Sequence, residues 1–145
     1  MKTRIFFRCL FHKHTHAVPS MPLPDACMYL LRLMHEVKVY HWTTRVFARH
    51  ESSAKLLDKL GPSVDKFVEM FLASSESKKG GNGGISKLEV REITDATYES
   101  VLSEALTTLT TGSVGKVANK QVALGARRDA IVEQLQVGLY LARMV

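Results

Sequence analysis

The chain has no acidic residue before Asp25, no histidine after His50, and no apolar run of the roughly 18 residues that a membrane-spanning helix needs. Its richest hydrophobic stretch is broken by Arg32, His35, Glu36 and Lys38, so a membrane protein is not expected. Only two cysteines occur, Cys9 and Cys27, too far apart in sequence to suggest a disulfide framework or a zinc knuckle. That scarcity points to a reducing, intracellular setting. Proline is rare as well, and only Pro62 lies beyond residue 24, which leaves the rest of the chain free to be helical.

With 145 residues, 46% of them hydrophobic, the chain can bury one core and is short for two. Residues 1–24 read as a basic, Pro-containing tail carrying Lys2, Arg4, Arg8 and Lys13, which supply most of the net charge of +6. Such a tail can contact nucleic-acid phosphates or an acidic neighbouring protein, can be a remnant of organelle targeting, or can be a solvated arm. Residues 25–145 read as a single all-α domain.

Pro24 and Asp25 suit a helix start, and Leu30, Leu33, Met34, Val37, His41 and Ala48 recur at three-, four- and seven-residue steps. A first helix is expected from about Asp25 to about Arg49. A second apolar stripe runs from His50 through Leu57, Val64 and Phe71, with Gly61 and Pro62 in its middle predicting either a kink or a fresh helix start. The glycine-rich "SSESKKGGNGGIS" is a loop by composition. Ser86 and Glu89 have the spacing of a capping box, so a third helix is expected from there to about Gly112, with a last one from about Lys116. Four amphipathic helices are most simply covered by an antiparallel four-helix bundle.

All six histidines precede residue 51, and none has a glutamate three positions before it, which excludes the Glu-x-x-His di-iron centre of ferritin-type bundles. The remaining candidate site is His41, His50, Asp65 and Glu69. Imidazoles with hard carboxylates suit ferrous iron, and Asp65 and Glu69 share a helix face at i, i+4. Each residue also has a plainer reading. His41 can be a core histidine bonded to a carbonyl or to Asp65, and His50 a helix cap. Asp65 and Glu69 can be a solvated face or pair with Arg45, Arg49 or Arg127. Tyr40 and Trp42 are packing or interface residues, with Trp42 an anchor at a helix end or between subunits. "HKHTH", residues 12–16, can chelate a metal in isolation, and Asp129 after Arg127 and Arg128 reads as a charge cluster.

The segment "YHWTTRVFARHESSAKLLDKLGPSVDKFVEMF" resembles the Dps family of miniferritins in its His41–Trp42 pair, its later His50, and its Asp65 and Glu69. That resemblance implies a ferritin-like bundle, a homo-oligomer, and iron held between two subunits, with histidines from one and carboxylates from the other. The interval between the histidines is shorter than in Dps, and Ala54 stands where that family has a further acidic ligand. A closer overall resemblance is to a small uncharacterised family found mainly in large DNA viruses and bacteriophages. It is carried by "YHW", "DKFVE" and the final "RRDAIVEQLQVGLYLARM", and it implies a viral origin and a cytoplasmic or virion location. Two functions follow as expectations: a metal-binding bundle with weakened oxidation chemistry, or a structural, virion-associated assembly protein.

Overall fold

The computed structural model describes residues 25–74 and 88–144, and those residues form helices and connecting segments with no strand. The elements are α1 (Asp25–Thr43), α2 (Phe47–Ala73), α3 (Tyr98–Thr110), α4 (Ser113–Ala118) and α5 (Val122–Ala142). The basic tail, "HKHTH", Cys9, Ser86 and nearly all of the glycine-rich loop lie outside the described residues.

The first helix stops at Thr43 and not near Arg49. Two threonines end it without glycine or proline. The Thr43 hydroxyl donates back to the Val39 carbonyl at 3.1 Å, and the Thr44 hydroxyl donates forward to Asp95 Oδ1 at 2.6 Å, drawing the chain out of the helix. The helix α2 then runs unbroken for 27 residues, so neither a fresh start nor a break occurs at Pro62. Pro62 is exposed, where water can serve the carbonyl it leaves unbonded. Next to it, the Ser63 hydroxyl donates back to the Lys59 carbonyl at 2.9 Å.

The third helix begins at Tyr98, well after the expected capping box. Residues 88–94 are irregular because they serve as a strap across α1. Glu36, 1% exposed, is gripped by the Arg91 guanidinium at 2.9 and 3.1 Å, and the Arg91 amide donates to it at 3.2 Å. Arg91 also reaches Glu104 on α3 at 2.9 Å, and Ile93 is buried beneath the strap. The cap exchange falls at Thr94, whose amide donates to the Thr97 hydroxyl at 3.0 Å. The short α4 before α5 was not foreseen.

Side-chain contacts fix the helix directions. The α1 and α2 helices form a hairpin closed by His41 and His50. The helices α2 and α5 run antiparallel, with Leu56 against Gly138 and Arg49 reaching the Ala142 carbonyl. So do α3 and α5, where Glu99 meets Arg143 and Arg128 donates to the Leu109 carbonyl. Consequently α2 and α3 run parallel. The core is lined by Leu30, Leu33, Leu60, Phe67, Leu102 and Leu135 from four helices. No helix among the described residues is long and apolar enough to cross a membrane.

Candidate functional site at the corner of α1 and α2

Residues Tyr40 to Ser53 turn the chain from α1 into α2, and every aromatic or imidazole in this corner has a defined place. Tyr40 is fully buried and stacks on Tyr98 with ring centroids 3.9 Å apart, while its hydroxyl donates to Asp95 Oδ1 at 2.7 Å. It is a packing residue. Asp95 therefore receives the Tyr40 and Thr44 hydroxyls on one oxygen. These hydrogen bonds, led by Thr44, hold its carboxyl below the ordinary range, with Arg49 adding a favourable charge. Arg49 also donates to the Asp95 carbonyl and to Glu99 at 3.2 Å, so it ties α2 to α3.

His41 and His50 stack with centroids 4.1 Å apart and planes 23° apart. Their Nδ1 atoms make reciprocal contacts, His41 to the His50 carbonyl at 3.1 Å and His50 to the His41 carbonyl at 2.8 Å. A carbonyl only accepts, so each ring donates through Nδ1–H, and in the neutral imidazole that tautomer leaves Nε2 as the acceptor. The His41 carbonyl belongs to the last turn of α1, where acceptors lack helical partners, so His50 caps that helix. His41 matches the reading of a half-buried histidine on a main-chain carbonyl, and its partner is not Asp65.

The imidazoles are ready in tautomer but not in direction. Ring lone pairs lie in the ring planes, and two nearly parallel planes 4 Å apart do not meet within the bond length of about 2 Å that a metal requires. Asp65 and Glu69 lie farther along α2, roughly 22 and 28 Å from His50 at 1.5 Å per residue. Both are exposed, and neither has an ion-pair partner among the described residues. The expected pairing with Arg45, Arg49 or Arg127 is absent, and Arg49 is engaged with Glu99. Arg128 and Asp129 do pair, at 2.5 Å. One chain thus brings the histidines together and leaves the carboxylates apart. Among the described residues, no group of three or more His, Cys, Asp or Glu side chains is placed to hold a metal ion.

Sequence reasoning missed Asp95, Glu36, Arg91 and Tyr98, which hold the strap in place. Their only signal was an arginine and an aspartate flanking the apolar Ile93. Trp42 and Phe47 stand beside the histidines, 67% and 77% exposed, with Lys38 Nζ 5.5 Å from the Trp42 ring centre. Trp42 does not anchor the end of its own helix. A cavity of about 270 Å³ opens farther along the same hairpin, lined by Met34, His35, Lys38, Leu57 and Asp58.

Comparison with known proteins adds nothing to this. No protein-family profile, curated protein or solved structure matches the chain. The likeness to Dps rests on the motif residues alone.

Proposed function

We propose that this chain is a ferritin-like helical bundle whose role is assembly, docking through the α1–α2 corner onto another protein chain. The observation that carries this reading is the solvent exposure of Trp42 and Phe47 at this corner. Large aromatics left in water cost apolar hydration, and such groups are the usual anchors of interfaces. The parallel run of α2 and α3, each antiparallel to α5, is an arrangement that ferritin-like bundles share, which supports the architectural part. The basic tail, with Lys2, Arg4, Arg8 and Lys13, supplies a second contact, to nucleic acid or to a neighbouring protein of a virion or other assembly.

Replacing Trp42 and Phe47 together by serine tests this. Both are exposed, so helix content should be unchanged, while the mass of the assembled protein in solution should fall. An unchanged mass would remove the corner from any assembly role.

A second reading is favoured by the tautomers of His41 and His50. Metal-binding histidines commonly donate their other ring N–H to a carbonyl, as both do here. In that reading His41 and His50 of one chain and Asp65 and Glu69 of another hold iron or a similar divalent ion, after one imidazole turns out of the stack. Titration with cobalt(II) reads it directly. Binding should occur in the wild type and vanish in D65N/E69Q, and a wild type that binds neither cobalt nor ferrous iron ends this reading.

A further inference from the structure

The last helix is apolar on two sides. Leu124, Ile131, Leu135 and Leu139 face the core, as a bundle helix requires. Val122, Ala126, Val137 and Tyr140, continued by Met144 just past the helix end, recur at multiples of three and four on the opposite side. Val122, Val137, Tyr140 and Met144 are 94%, 51%, 59% and 66% exposed. Polar residues, among them Arg127, Gln134 and Gln136, separate the two faces and Glu133 interrupts the outer one, so what lies in water is a short apolar stripe with one carboxylate in its middle.

We propose that this outer face of α5 pairs with the same face of a second copy of the chain, antiparallel about a two-fold axis. The grading of side-chain size along the helix selects the direction. The first half of the stripe is small, with Ala126 and Ala130, and the second half is large, with Val137, Tyr140 and Met144. A parallel pair sets large on large and small on small. An antiparallel pair centred near Leu135 lays Tyr140 on the partner's Ala130 and Met144 on the partner's Ala126, so bulk fills space along the whole seam.

Charge selects the same partner. Glu133 lies within the stripe and has no ion-pair partner among the described residues. Lys55 and Lys59 of α2 are likewise unpaired among them, and they line one groove of about 260 Å³ with Val137 and Leu141. The antiparallel register puts Glu133 level with the partner's Val137, where the partner's lysine rim can meet it. Each copy supplies both charges, so the contact is self-complementary. The seam is about 30 Å long, the length of a helix of 21 residues.

This inference shares with the assembly reading only the idea that the chain has partners, and it uses a different face. The test is sedimentation equilibrium of the full chain, under reducing conditions, across a wide concentration range. A monomer–dimer equilibrium is expected. Y140E should weaken it at least about tenfold with helix content unchanged. E133K and K59E should each weaken it, and the double reversal should recover most of the loss. A wild type that stays monomeric at several hundred micromolar overturns the proposal, as does a dimer indifferent to Y140E or a double reversal no better than its singles. If Trp42→Ser with Phe47→Ser abolishes the dimer while Y140E leaves it intact, the α5 pairing is overturned and the corner reading stands.

Discussion

Asp95 shows how much of this molecule turns on one carboxylate that no motif announces. It holds the buried Tyr40 hydroxyl and the Thr44 hydroxyl, so it fixes the end of α1 and the strap at once. Asp95→Ala leaves a buried phenol without its acceptor and should cost about 1–3 kcal/mol in chemical denaturation. The acid limb gives a sharper test. A carboxyl held below its ordinary value contributes stability that is complete above about pH 4 and is lost as pH falls through the native value. Asp95→Asn should therefore be less stable than the wild type near pH 7, and the gap should close in acid. A gap that stays constant down to pH 3 would show that the charge of Asp95 does no stabilising work.

At the scale of helices, the sequence pattern located the apolar stripes and missed where two of the helices end. Periodicity reports which residues face a core, and Leu30, Leu33, Val64 and Phe71 do so as expected. It is silent about long-range hydrogen bonds, and those decided the boundaries. Thr44 leaves α1 for Asp95, and Arg91 is committed to Glu36, so the capping-box spacing at Glu89 starts no helix. Pro62 starts no new helix, since an exposed proline can sit inside a long one. Of the candidate site, His41 and His50 meet within one chain, and Asp65 and Glu69 stand on a solvated face of α2, as a site shared between two chains would also leave them.

Two glycines offer a matched pair of predictions for the elements. A Cβ on Gly115 would lie 2.2 Å from the Thr110 carbonyl oxygen and 2.5 Å from its carbon, both main chain and unable to yield cheaply. A Cβ on Gly61 in α2 would meet nothing within 4 Å. Gly115→Ala should lower stability by about 2 kcal/mol or more through backbone displacement. Gly61→Ala should raise it by about 0.5–1 kcal/mol by restricting the unfolded chain and favouring helix. Equal effects from the two changes would contradict the close approach of α4 to α3.

For the whole molecule, the described residues make an all-helical fold with one apolar core and a polar strap held by Arg91, Glu36 and Glu104. What it leaves to water is uneven: aromatics at the α1–α2 corner, an apolar seam on α5, and unpaired carboxylates on α2. Trp42 is the only tryptophan, so its fluorescence reports on the corner alone. The most direct measurement is acrylamide quenching of Trp42 in the full chain, read alongside solution mass over a concentration series. Quenching should be strong in the dilute protein and fall as the mass rises, because docking takes the exposed indole out of water. Mass that rises while quenching stays unchanged would place assembly elsewhere, and a mass that never rises would contradict the assembly account as a whole.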